Sequence, residues 1–191
     1  MMQFMNNLTE PVPSIIWVDC EMTGLNLQID SLIEVAVMIT DDQLQPIGDG
    51  ISIVIKPNGS SLETMNEYVK NMHISSGLYQ ELENGVDLAA AEELLNQFMA
   101  KYKFTAGKPP IAGNSITMDR VFLEKYLPNF YANIHYRSID VTTVKELARR
   151  WNIELYSKAP EKTGNHRALG DIKDSIAELN YYRQEFFKVV L

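Results

Sequence analysis

The chain has 191 residues, of which 46% are apolar and 22% charged. That is the length of one domain with modest additions, and the composition excludes disorder as the main state. The single cysteine, Cys20, excludes an intrachain disulfide framework and a Cys-rich zinc module, and it fits a reducing compartment. A formal net charge of −8 excludes a long basic groove for duplex nucleic acid, though not a short anionic substrate held through metal ions. No apolar run approaches the roughly 18 residues of a membrane span. The start, MMQFMNNLTEPVPS, has no Lys or Arg and no long apolar stretch, so it reads as neither a signal nor a transit peptide.

Residues 1–13 read as a flexible lead-in to a single domain over 14–191. SIIWVDC (Ser14–Cys20), LIEVAVMIT (Leu32–Thr40) and ISIVIK (Ile51–Lys56) are three predicted strands, joined by short turns into an antiparallel meander. The period then changes. Leu62–Met72 is expected to be helical. Asp87–Lys103 is an amphipathic helix with Asp87 as its N-cap and Leu88, Ala91, Leu95, Phe98 and Met99 on one face. Pro110–Asn114 is a short strand and Met118–Tyr126 a helix stopped by Pro128. Arg137–Asp140 is a further strand, Val144–Trp151 a helix, Tyr156–Asn165 a loop, and Ala168–Val189 a final long helix. Three strands followed by alternating helices and short strands make an α/β layer fold on a mixed central sheet.

Asp19 and Glu21 lie two apart on a strand, so they share one face at its carboxyl end. Carboxylates this close repel unless a cation lies between them, and oxygen donors of this kind suit Mg²⁺ or Mn²⁺. A solvated sheet rim would carry the same pair. Gly24 turns the chain just beyond. Asp119 opens a helix after PIAGN, where the helix dipole alone favours an acid, but that loop is also a strand carboxyl end. His166 sits in a polar loop before the last helix, placed to act as a general base. Asp171 follows a turn later, with Asp174 as an alternative on the same helix. Asp140 reads as an N-cap and as a weaker fifth carboxylate. His73 closes the first helix, and His135 follows an aromatic run as a structural or interfacial group.

The order Asp19-x-Glu21, Asp119, His166 and Asp171 resembles the DEDD exonucleases of the His-bearing subtype. The words WVDCEMTGL, GNSITMDRVFL, HYRSIDVTTVKELARRW and NHRALGDIKDSIAEL are similar to those of the oligoribonuclease family, from about Ser14 to Phe187. The resemblance implies a ribonuclease H-like fold and a homodimer. It implies a 3′→5′ exoribonuclease acting on pieces of a few nucleotides, dinucleotides above all, in the cytoplasm, or in a mitochondrion if a presequence has been removed. Carried over by position, Asp19, Glu21, Asp119 and Asp171 bind two divalent ions, Mg²⁺ or Mn²⁺, and His166 is the base. Leu25 and Tyr136 wedge the bases, Tyr136 and Arg137 coming from the partner subunit. Tyr68 and His73 line the 3′ nucleotide. Ser115, Arg137, Thr142 and Lys145 cap the 5′ phosphate. Three positions depart from the family's habit: Tyr68 replaces a Trp, Thr142 a Ser, and Gly170 an Asp.

A phosphatase of the haloacid dehalogenase type also places acids after a first strand, as D-x-D-x-T. Thr23 fits that pattern, but Glu21 does not. An RNA-binding scaffold with a decayed site conflicts with the presence of all five candidate catalytic residues. An endonuclease or a DNA-directed exonuclease on the same fold is the nearest alternative.

Overall fold

Alternation along the first strand sorts the molecule into two layers. In the computed structural model, which describes residues 11–57, 59–164 and 166–187, β1 spans Ile15–Met22. Ile16, Val18 and Cys20 enter one core, and Ile15 and Trp17 enter another on the opposite face. β2 (Leu32–Thr40) is buried along its whole length. It pairs antiparallel with β1 from Ile15↔Thr40 to Met22↔Leu32, with an irregularity between Glu21 and Met22. β3 (Ile51–Val54) pairs antiparallel with β2, whereas β4 (Ile111–Gly113) runs parallel to β1 and β5 (Ser138–Asp140) parallel to β4. The sheet order is β3-β2-β1-β4-β5. The expected meander and the parallel strands after it are both present. β3 ends short of Lys56, because Ile55 leaves it for an isolated bridge to Val86.

The helices are α1 (Glu67–Ser75), α2 (Leu78–Glu81), α3 (Leu88–Met99), α4 (Thr117–Tyr126), α5 (Pro128–Tyr131), α6 (Val141–Trp151), α7 (Ile153–Ser157) and α8 (Ala168–Glu185). Asp87 caps α3 by accepting from the Ala90 N–H, and Ala91, Leu95, Phe98 and Met99 are buried, as expected. Residues 62–66 are not helical. Asn66 accepts from the Tyr68 N–H and starts α1 at Glu67 instead. α6 begins three residues earlier than Val144, because Asp140 accepts from the Thr142 N–H. α2, α5 and α7 have four or five residues each, too few to show a helical period. Pro128 starts α5 at its first turn as well as stopping α4. The loop expected from Tyr156 begins only after α7. Asn165, Val189 and the first ten residues of the lead-in lie outside the described residues.

α3, α4 and α5 cover the face of Ile16, Val18 and Cys20. α8, with Val141 of α6, covers the face of Trp17. Ala36 and Ala112 flank Trp17 there, and the indole N–H donates to Thr40 Oγ1 at 3.0 Å. Among the described residues, no helix is long and apolar enough to cross a membrane.

The start of α8 is tied to the sheet by one buried carboxylate. Glu34 of β2 is 1% exposed. Its Oε1 accepts from Arg167 Nη2 at 3.0 Å and from Ser52 Oγ at 2.8 Å, and its Oε2 accepts from the Ala168 N–H at 3.1 Å. Arg167 also pairs with Glu81 of α2. Arg167 offers α8 no side-chain cap, so Glu34 supplies that function from a neighbouring strand. Replacing Glu34 by Ala leaves the Ala168 N–H without its acceptor and removes a carboxylate partner of Arg167, which keeps Glu81. The expected cost is about 3 kcal/mol, read as a lower urea midpoint. A loss under about 1 kcal/mol would mean that the clamp does not hold the helix.

Candidate active site

The carboxyl ends of the parallel strands β1, β4 and β5 lie side by side, which in open α/β sheets is where ligands bind. Asp19 and Glu21 occupy the α8 face of β1, in line with Ile15 and Trp17. Asp171 stands in the first turn of α8. Asp19, Glu21 and Asp171 each offer a carboxylate oxygen within 4.8 Å of the other two. Asp119 comes from the opposite layer. It is buried in the first turn of α4, and its Oδ1 accepts from the Cys20 N–H at 2.9 Å, which pins α4 to β1 between the two acids of that strand. It stands outside the three-oxygen group. His166 is exposed at φ 49°, directly before Arg167.

The electrostatics carry the mark of unneutralised charge. Burial first, then the neighbouring Asp119 and Glu21, raises the Asp19 carboxyl well above its usual range. Glu21 is pushed up to about 8 by burial and by Asp171 and Glu34. Burial raises Asp119 to about 7, against the lowering effect of its backbone hydrogen bonds. Asp171 is raised by burial, with His166 and Lys162 acting in the other direction. The N-termini of α4 and α8 bring positive dipole ends to Asp119 and Asp171, a partial compensation. Hard oxygen donors, crowded and partly desolvated, match what a hard divalent cation requires. The residues present therefore fit the metal that the sequence implies.

Two flanks surround these acids. On one, Leu25 and Tyr68 are 67% and 78% exposed, and both line a cavity of about 480 Å³ with Gly24, Asn26, Ile29 and Asn66. Asp30 shapes the Leu25 loop. Its carboxylate accepts from Thr23 Oγ1 at 2.9 Å and from the Asn26 N–H at 2.8 Å. A Cβ at Gly24 would lie 2.5 Å from that carboxylate, so the glycine is required by close approach. His73 is fully buried; its Nε2 meets the Met22 carbonyl at 2.9 Å, and its Nδ1 lies 3.9 Å from Glu21 without a hydrogen-bond partner. It backs β1 from the last turn of α1. On the other flank, Ser115 stands at φ 53°, and its N–H donates to Thr142 Oγ1 at 2.9 Å and to Asp140 Oδ1 at 3.1 Å. Lys145 pairs with Glu178 at 3.5 Å. Tyr136 is 74% exposed and Arg137 also points outward.

The alternative residues have contacts of their own. Asp140 caps α6 and steadies Ser115. Asp174 accepts from the N–H and Oγ1 of Thr163 and so anchors the loop that leads to His166. His135 stacks on Tyr136 at 4.3 Å and accepts from the Arg137 N–H at 3.1 Å. The acid absent at Gly170 is offset by Glu34, which serves the same helix end from β2. Sequence reasoning missed Glu34, Asp30, Asn114 and Glu178. Glu34 had a visible signal, a lone carboxylate inside the apolar run LIEVAVMIT.

Raised carboxyl values set the sign of the pH dependence. A folded state that holds protons more tightly than the unfolded chain loses stability as pH rises. For Glu21 the window runs from its ordinary 4.5 to about 8, and for Asp119 from 3.8 to about 7. With a chelator present, Tm is therefore expected to fall between about pH 5 and pH 8, and the Tm gained on adding Mn²⁺ to grow over the same interval. Asp19→Asn should flatten both trends. A chelated protein whose Tm rises through this window would contradict the assignment of a charge-strained site.

The family model for exonucleases matches residues 16–179. Oligoribonuclease of Leifsonia xyli subsp. xyli is 50% identical over 173 residues, 91% of this chain and 84% of its own length. That of Tropheryma whipplei is 49% identical, covering 92% of this chain and 95% of its own. Among solved structures, exonuclease I of Methylocaldum szegediense superposes with a TM-score of 0.65 at 19% identity, over 92% of this chain. The zinc-bound complex of E. coli exonuclease I with single-stranded DNA reaches 0.69 at 17% identity, over 93% of it. This chain spans 41% and 42% of those two chains. They share its ribonuclease H-like fold, with three antiparallel strands followed by parallel ones. A half-identical sequence over nine-tenths of the chain, with the acids gathered at the carboxyl end of the central strand, places this protein in the oligoribonuclease family of exonucleases.

Proposed function

We propose that the protein is a 3′→5′ exoribonuclease that hydrolyses short oligoribonucleotides, dinucleotides above all, to nucleoside 5′-monophosphates. The observation that carries the reading is the convergence of Asp19, Glu21 and Asp171 within 4.8 Å, with Asp119 bonded to the backbone of Cys20 between the first two. Asp19, Glu21, Asp119 and Asp171 would hold two divalent ions, Mg²⁺ or Mn²⁺. Bound there, such ions activate water and stabilise a leaving oxygen. His166, exposed on the loop beside Asp171, takes the water's proton. Leu25 and Tyr136 of the partner subunit wedge the bases, and Tyr68 and His73 line the 3′ nucleotide, Tyr68 as an exposed ring and His73 as a buried one. Ser115, Thr142, Arg137 and Lys145 bound the opposite flank and receive the terminal 5′ phosphate. That the relatives are oligoribonucleases supports an RNA substrate.

The net charge of −8 fits this reading. Affinity for long nucleic acid grows with the number of phosphates met by Lys and Arg. A dinucleotide offers few, so a small polar cap can replace a basic groove. A 5′-labelled RNA ladder of two to ten nucleotides, digested with Mn²⁺ and with chelator, tests the reading. The dinucleotide should disappear fastest, Asp19→Asn and Asp171→Asn should abolish cleavage, and His166→Ala should slow it roughly 10²- to 10⁴-fold with metal binding retained. Equal degradation of the ten-nucleotide RNA would end the short-substrate reading, and near-normal turnover by Asp19→Asn would end the metal assignment.

The same reading completes each site from a partner subunit. Tyr136 stands largely exposed at the end of KYLPNFYANIHYRSI, whereas Phe130 of that run is buried in the core. A large aromatic left in solvent beside a cationic Arg137 suits an interface. A two-fold dimer would repeat this patch and bring each Tyr136 to the other subunit's acids. Co-refolding Asp19→Asn with Tyr136→Ala distinguishes the arrangements. If the sites are shared in trans, about half the dimers are mixed and about a quarter of all sites recover. If each site is built in cis, none do, even with heterodimer confirmed by mass.

A further inference from the structure

Arg120 adjoins a proposed metal ligand in sequence but turns its side chain to a different part of the molecule. Successive residues of a helix point about 100° apart, and α4 uses that divergence. Asp119 reaches back to the Cys20 N–H, whereas Arg120 reaches out to the segment that displays Tyr136 and Arg137. Its Nη2 donates to Tyr131 Oη at 2.8 Å, and its Nη1 donates to the His135 carbonyl at 3.1 Å and to Ser138 Oγ at 3.4 Å. These acceptors belong to the last residue of α5, to the turn itself and to the first residue of β5. The His135 carbonyl is part of the planar peptide that leads into Tyr136. A donor on that oxygen fixes the plane, and with it the direction in which the Tyr136 side chain leaves the backbone. Other ties act on the same turn. Ile134 is buried before it, the His135 N–H donates to the Pro109 carbonyl at 2.8 Å, and His135 Nδ1 accepts from the Arg137 N–H at 3.1 Å. Beyond them Tyr136 is largely exposed, with the Arg137 guanidinium 5.5 Å from its ring centre. The turn is thus held from behind while its two large side chains face outward. A contact surface gains affinity from being set in place before its target arrives.

We infer that Arg120 is a positioning residue that acts across the dimer: by fixing the His135–Arg137 turn it aims Tyr136 and Arg137 at the partner's acids. It therefore serves the opposite site, and not the one whose Asp119 it follows. The inference rests on the proposed reading in which Tyr136 and Arg137 complete each site in trans. Removing the guanidinium frees the 135–136 peptide to turn. A displacement of about 1 Å in a group that positions substrate can cost roughly 10²-fold in rate. Asp119 meanwhile keeps its hydrogen bond to Cys20, so the acids of the same chain stay in place. A purely structural role, fastening α4 to α5, would weaken the site of the same chain instead.

The test assays full-length Arg120→Ala on a dinucleotide with Mn²⁺, alone and co-refolded with an excess of Asp19→Asn. Alone, it should lose roughly 10- to 100-fold in kcat/KM, while native mass shows a dimer and calorimetry shows wild-type Mn²⁺ affinity. With about a tenfold excess of Asp19→Asn, about nine-tenths of its chains sit in mixed dimers. Each of these joins the intact acids of one chain to the intact turn of the other. Activity per Arg120→Ala chain should then return close to that of wild type carried through the same mixing. An excess of the double variant Asp19→Asn, Arg120→Ala supplies partners with a loosened turn and should restore nothing. Tyr136→Ala mixed in the same way is the reference. If Asp19→Asn fails to rescue Tyr136→Ala, the trans reading falls, and this inference with it. If Tyr136→Ala is rescued and a folded Arg120→Ala is not, Arg120 serves its own chain and the inference alone falls. It falls equally if Arg120→Ala by itself keeps near-wild-type activity, if it is monomeric at the assay concentration, or if the double variant rescues it. Should circular dichroism show Arg120→Ala unfolded, Arg120→Lys carries the same test, because it keeps the charge and loses the fork that reaches several acceptors at once.

Discussion

The structure turns on a carboxylate that is removed from water and cannot be left alone. Glu34 sits inside a strand that is buried from end to end. A charge there is tolerable only if it is paired and hydrogen-bonded. Its partners are the guanidinium of Arg167 and the first N–H of α8. That requirement fixes where α8 begins relative to β2, and therefore where Asp171 stands relative to Asp19 and Glu21. Glu21 and Glu34 are register partners across β1 and β2. The paired acid of the sheet thus lies beside the unpaired acids of the site. One has a cation from its own chain, and the others form the three-oxygen group.

The division of labour extends across both layers. The apolar side of β1 holds α4, and through it the Asp119 hydrogen bond to Cys20. The other side holds α8 and Asp171. Each helix delivers an acid from its first turn, so a positive dipole end faces the site from both directions. That helps, but it does not neutralise four carboxyl groups: Glu21 and Asp119 still lie near 8 and 7. A fold in search of stability alone would not crowd them. The cost is of the kind that binding sites carry when their ligand supplies the missing charge.

Much of this was legible in the residues. The period of two in SIIWVDC places both acids on one face, and the period of 3.6 in LAAAEELLNQFM gives α3 and its buried stripe. What escaped was short or nonlocal. α2, α5 and α7 are single turns or little more, where capping and tertiary contact decide and periodicity is silent. Residues 62–66 carry helix-compatible side chains, but Asn66 offers a better start one turn later. Asn114 and Glu178 act through partners 28 and 64 residues away. No local pattern marks such groups. For the candidate site, the acids and His166 could be named from their order along the chain. Where Asp119 stands could not, because its link to Cys20 crosses from one layer to the other.

α8 links the two ends of the site by its own geometry. Asp171, Ser175 and Glu178 fall at i, i+4 and i+7, one stripe of the helix. Asp171 belongs to the acidic group, and the other two face Asn114 and the Ser115–Thr142 corner. Seven residues of helix span about 10 Å, and a helix seated on a sheet does not stretch. On the proposed reading, one rigid element therefore sets the separation between the place of cleavage and the place of the terminal phosphate. That is the scale of a dinucleotide and not of a strand. Length selection then needs no closing lid. A longer RNA would have to displace Thr142 from Asn114, and behind Asn114 stands a buried carboxylate with two lysines that resists the move. On that reading, selectivity for short substrates and the placement of a catalytic acid are two consequences of how one helix is fastened to the sheet.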